Sequence, residues 1–263
     1  MTIVEIGKRL YTVPEKWNEL TGRQLIDVLV IMHMAMPFEN ARLHLFKKIC
    51  GATWMRLWWC GVEEFEDKLY LTDWLLGENT LTDNLIKSYQ GHYGPAGSFN
   101  NLVISEFIFT EQQFAIWKSD EPVAVRHDAL NRLVAILYRP EKKNYDKIRN
   151  ESGDIREAFN DNLIDYYTTI IATWPFQVKQ AIVFWYEGCH NQLIRDFPKV
   201  FGGGGSGESV YGLWDVLFSI AEKNVLGDFA KVENQLLKTV LMVITKTVAD
   251  AERIEQQLKK PGK

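Results

Sequence analysis

LLKTVLMVI, residues 236–244, is the stretch whose reading decides the fold. Leu236, Leu237, Val240, Leu241, Val243 and Ile244 make a helix that is apolar nearly all round, and such a helix belongs in a core. Each large apolar side chain buried there is worth about 1.5–3 kcal/mol. Val248, Ala251, Ile254 and Leu258 continue the stripe more sparsely. Their surroundings from Ala249 to Lys263 are strongly polar, so this half is expected to project into solvent or onto a partner.

Just upstream, Val210, Leu213, Trp214, Leu217, Phe218, Ile220 and Ala221 recur at helical spacing and are expected on one face. Asn224 and Gly227 punctuate the end of that helix, and a short connection follows Asp228. The glycine run Gly202 to Gly205, with Ser206 and Gly207, separates this helical pair from what comes before.

The same signs recur through the rest of the chain. Ile3–Ile6 and Leu10–Val13 read as a small β-hairpin around Gly7 and Lys8. Thr21-Gly-Arg-Gln24 is a capping box that starts a helix to about Ala35. A second helix, near Glu39 to Cys50, is capped by Gly51. Trp54, Leu57, Trp58 and Trp59 form a dense aromatic patch, read either as core or as a docking site. Gly91 to Asn101 reads as a loop, and Leu102 to Phe109 as a strand or an extended entry into a helix. Thr110-Glu-Gln-Gln113 is a second capping box, and Pro122 opens a helix with Val125, Leu130, Leu133, Val134 and Leu137 spaced for burial. After Pro140, residues 141–153 are polar and read as a linker or loop. Asp154-Ile-Arg-Glu157 resembles an acidic capping box opening the next helix, which carries Phe159, Leu163 and Tyr166. Trp174-Pro175 is then the turn into another. The fold class expected is mainly α: an irregular multi-helix bundle with a small N-terminal β-hairpin. Residues 1–140 and 154–263 form its two regions or one continuous domain.

Composition narrows the function. A hydrophobic share of 46% supports a real core. A formal net charge of −4 argues against broad nucleic-acid binding. Three widely spaced cysteines (Cys50, Cys60, Cys189) suggest reduced thiols and a cytoplasmic setting. No secretion signal and no membrane-spanning run is expected.

Motifs that carry chemistry are incomplete. Residues 202–209 read GGGGSGES, at the spacing of a phosphate-binding loop. Glu208 stands where the motif needs lysine, and Pro198 interrupts the strand that should precede it. Cys189-His190 has no second ligand pair for zinc. His127-Asp128 lies in a helical pattern, where adjacent residues point apart. Glu63, Glu64, Glu66 and Asp67 lack the loop that calcium requires. No catalytic residue, cofactor or metal is assigned on this basis.

The order of short motifs carries one resemblance. It runs Trp17-Asn-Glu-Leu-Thr21, then Ala135-Ile-Leu-Tyr-Arg-Pro140, Asp154-Ile-Arg-Glu-Ala-Phe159, Trp174-Pro-Phe176, Phe184-Trp-Tyr186 and Gly212-Leu-Trp214 before the helical tail. This layout resembles phage or prophage tail-module proteins, in particular tail assembly chaperones. The resemblance implies a non-enzymatic protein of the host cytoplasm that binds other tail proteins, such as a tape-measure-like helix, or is built into the tail. A homo-oligomer is a separate expectation. No membrane or nucleic-acid partner is expected. The alternatives are a structural virion component (neck, tail or baseplate subunit) and an enzyme with a site visible only in space, built on Cys189, His190 or the acidic cluster. Partner contacts are expected at Trp58 and Trp59 and along the Ile254 and Leu258 stripe.

Overall fold

The computed structural model describes residues 1–6, 8–53, 55, 66–143, 145, 153–201, 210–222 and 225–259. Within the helices, the side chains at 210–212, 215, 216, 258 and 259 lie outside this description. The fold is mainly α, as expected, with small antiparallel sheets. The chain forms two compact units, Met1–Ile86 with Trp174–Cys189, and Lys87–Thr173 with His190–Lys263. Pro140 and Asp154, on either side of the polar stretch 141–153, belong to the same unit.

The first unit opens with β1 (Thr2–Ile6) and β2 (Arg9–Val13), paired antiparallel with Val4 opposite Tyr11. Helix α1 (Gly22–Met32) starts as its capping box requires. The Gln24 N–H donates to Thr21 Oγ1 at 3.2 Å, and the Thr21 N–H donates to Gln24 Oε1 at 2.9 Å. It stops at Met32, three residues before Ala35. Helix α2 (Phe38–Cys50) ends at Gly51, whose φ of 66° is the left-handed conformation that glycine adopts without strain. Trp17 is buried in this unit, edge-on to Trp74 with centroids 5.3 Å apart and 4.6 Å from Phe184. Phe184 belongs to α6 (Phe176–Asp196), whose Phe176–Cys189 part lies in this unit. Residues 78–82 run beside that helix. Asn79 Nδ2 donates to Phe184 O at 2.6 Å, and Trp185 Nε1 to Thr82 O at 3.0 Å.

In the second unit, β3 (Ser88–Tyr89), β4 (His92–Tyr93) and β5 (Arg139–Pro140) form an antiparallel sheet in that order. Helices α3 (Ile104–Lys118) and α4 (Val123–Leu137) pack on each other, and α5 (Ile164–Ala172) packs on α4. The short helix α7 (Pro198–Phe201), then α8 (Val210–Glu222), α9 (Phe229–Glu233) and α10 (Leu237–Lys259) complete it. The root of α10 is tied to α3: the Leu237 N–H donates to Leu102 O at 2.8 Å, and the Ile104 N–H to Gln235 O at 2.9 Å.

Several expectations are corrected here. Leu102–Phe109 is largely helix, so Thr110 is interior to α3. Its hydroxyl donates to Glu106 O at 2.6 Å, a back-bond within the helix in place of a cap. Asp154 starts no helix. Its carboxylate binds Arg156, and the next helical turn begins only at Asp161, after Asn160 caps it. The connection after Asp228 is itself the helix α9, capped by the Asp228 carboxylate. Val125 is exposed despite its apolar spacing, as are Leu236 and Met242 in the segment expected to be buried all round. Leu237, Val240, Leu241 and Ile244 do form the buried face of α10.

Candidate docking face

Glu106 sits in the first turn of α3, where its carboxylate accepts the Val103 N–H at 3.1 Å. The residue is fully enclosed, and a buried carboxylate persists only with charged partners. Two arginines supply them. Arg139, in β5 just after α4, forms a close ion pair with Glu106 and donates to Ile136 O at 2.6 Å and Glu157 O at 2.8 Å. Arg156 approaches from the 154–157 segment. Its Nη1 donates to Glu106 Oε1 and to Leu137 O, both at 3.0 Å. Its Nε and Nη2 grip Asp154 in a fork, at 3.0 and 2.9 Å, and Nη2 also reaches Asn101 O at 3.2 Å. The planar guanidinium thus has all five of its donors engaged.

The electrostatics follow from this arrangement. Burial opposes the Asp154 charge, but the Arg156 bonds and charge outweigh it and hold that carboxyl below its ordinary value. Burial also opposes the Arg156 charge and is outweighed by Glu106 and Asp154, so its pKa is raised. Arg139 moves the other way, because burial and the like charge of Arg156 prevail over the attraction of Glu106 and Asp154. With opposite charges matched and the donors engaged, the cluster serves as a tie. It joins the start of α3, the end of α4 and the 154–157 segment.

The tie sets the base of an aromatic row. The Arg139 guanidinium lies 5.8 Å from the Phe159 ring centroid. Phe159 is 5.4 Å from Phe109, which lies three residues along α3 from Glu106 and so on its side of the helix. Phe109 meets Trp214 of α8 edge-on at 6.0 Å, and Trp214 is 6.1 Å from Phe229 of α9. Phe229 stacks on Phe218, at 4.5 Å with an 11° interplanar angle. Trp214 and Phe218 are four residues apart on one helix face. The first four rings are half-buried, and Phe218 is 51% exposed. Five linked rings therefore run from a buried ionic tie to solvent.

None of the four residues singled out from the sequence belongs to this row. Ile254 is 55% exposed on α10. Trp58, Trp59 and the Leu258 side chain lie outside the described residues, as do the remaining patch residues Trp54 and Leu57 and the 202–209 glycine segment. The row draws on α3, the segment before α5, α8 and α9. Only the Trp214–Phe218 spacing signals it in sequence.

The residues considered for chemistry are dispersed. Cys50 and Cys189 are buried, and burial pushes the Cys50 thiol up to about 12. Cys189 Sγ donates to Thr82 O at 3.4 Å. His190 belongs to the other unit, where its Nε2 lies 3.1 Å from Glu111 Oε2. His127 lies against Trp117, and Asp128 pairs with Arg132 at 2.8 Å. Glu66 and Asp67 are exposed; Glu63, Glu64 and Cys60 lie outside the described residues. Among the described residues there is no group of three or more His, Cys, Asp and Glu able to hold a metal, and no helix long and apolar enough to cross a membrane.

No family model matches this chain, and no curated protein and no solved structure matches it significantly.

Proposed function

We propose that this protein works by binding another protein, a non-enzymatic role, with the aromatic row as its docking face. The observation that carries the reading is the half-open stack of Phe218 on Phe229 at the end of a row fixed from below by buried charges. Aromatic side chains offer large contact area at low entropic cost and dominate interface hot spots. The occupant proposed is an apolar face of a helix, laid into the row as in helix-in-groove recognition. Ile254, exposed on α10, offers a second apolar contact. The resemblance to tail-module proteins supplies the setting: tail assembly in the cytoplasm of a phage-infected or lysogenic host.

Co-expression with the proteins encoded beside it, followed by pull-down, tests the reading. A stable complex is expected, and Phe218→Ala should weaken it by about thirtyfold, the equivalent of a hot-spot residue worth ~2 kcal/mol. Recovery of the protein free from every neighbour would rule the reading out.

A further inference from the structure

The connection between α1 and α2 reads Met32-His-Met-Ala-Met36-Pro37, placing three of the chain's six methionines within five residues around a histidine. Exposed methionines cost little by themselves, but their backbone here is ordered. The Met34 N–H donates to Ile31 O at 3.1 Å, and the Met36 N–H to Met34 O at 2.9 Å, a tight turn that sets Met34 and Met36 on either side of one residue. Pro37 then fixes the entry to α2, so the turn is held between two helices. Met32 is 41% and Met34 51% exposed, and Met36 is half-buried.

The histidine is set for ligation. His33 Nδ1 lies 2.7 Å from Leu29 O, and a carbonyl only accepts, so Nδ1 carries the proton. In the neutral ring this leaves the lone pair on Nε2. A metal-binding histidine is commonly oriented in this way, its second ring N–H held by a backbone carbonyl. His33 as a residue is exposed.

We propose that Met32, His33, Met34 and Met36 form a binding site for a soft monovalent metal ion of the Cu(I) class. Three thioethers and one imidazole are neutral donors. Thioether sulfur selects Cu(I) over hard or borderline divalent ions, which take carboxylate, imidazole or thiolate. The three rotatable bonds of each methionine give its sulfur freedom to adapt to an ion. This site is independent of the docking face, since its residues all lie in the first unit.

The test uses the full chain labelled with 13C at the methionine methyl groups and carrying Cys60→Ser to remove that thiol. Cys50 and Cys189 are buried. Silver(I) nitrate serves as a probe that does not change oxidation state. One equivalent should shift the methyl signals of Met32, Met34 and Met36, saturably, while Met1, Met55 and Met242 stay in place. Zinc(II) should shift none of them. His33→Gln, on an exposed side chain, should lower silver affinity by at least about tenfold with the helical circular dichroism intact. Unmoved Met32, Met34 and Met36 signals would overturn the site. So would non-saturating shifts at all six methionines, which mean an adventitious ion only, or equal shifts with zinc(II).

Discussion

Arg156 is the residue on which most contacts of the second unit's ionic tie converge. It enters none of the helices and has no apolar neighbour pattern, so nothing local marks it. Asp154, three residues before Glu157, has the spacing of an acidic variant of the capping box. In the fold the arginine between them claims the carboxylate, through its backbone N–H at 3.0 Å and a two-toothed fit of its side chain. Removing one partner of a buried cluster strands the others' charges, at about 3–5 kcal/mol. Arg156→Ala should therefore lose that much in urea unfolding and weaken partner capture, because Phe159 sits three residues away. The tie also gives stability a pH dependence. The folded pKa of Asp154 is depressed, so its contribution is complete above the unfolded value of ~3.9 and is lost as pH falls through the folded one. The stability difference between wild type and Asp154→Asn should be largest at neutral pH and shrink as pH falls below about 4. A difference constant over that range would mean that the carboxylate charge contributes nothing.

At the level of elements, what was legible were the devices whose signal is local. The hairpin, the Thr21 capping box, the Gly51 cap and the buried face of α10 each follow from a few adjacent residues. The failures were equally physical. Thr110-x-x-Gln113 has the letters of a cap, but the apolar run before it already supports a helix, and a hydroxyl inside a helix turns back on its own carbonyls. Strands β3, β4 and β5 have two residues each, too short to show alternation. Packing needs were also hidden, as Gly188 illustrates. A Cβ there would lie 2.2 Å from Leu81 O and 2.8 Å from Asn79 Oδ1, where residues 78–82 pass α6. Alanine favours a helix interior by about 1 kcal/mol over glycine, yet Gly188→Ala should destabilise the protein by about 1–3 kcal/mol because backbone must shift. A thermal melt of the variant at or above the wild-type midpoint would contradict this.

Across the whole molecule, fold class was readable because helical periodicity repeats along the chain, whereas the aromatic row proposed as a docking face was not. Its five rings come from four separate segments, and adjacency between distant segments is a property of the fold. Phe218 shows the limit. Its spacing with Leu217 and Ile220 assigns it to a buried face, yet the fold leaves it half in solvent, stacked on a ring eleven residues away. The proposal makes this face the point of closest approach to another protein. Site-specific photocrosslinking reads that directly. A benzophenone amino acid is placed at Phe218 in one sample and at Val123, which is 58% exposed on α4, in another. Both are illuminated in cells that also express the neighbouring proteins. A discrete adduct to one partner from position 218, and none from 123, is the predicted result. No adduct from 218, or the same adducts from both positions, would contradict the docking face.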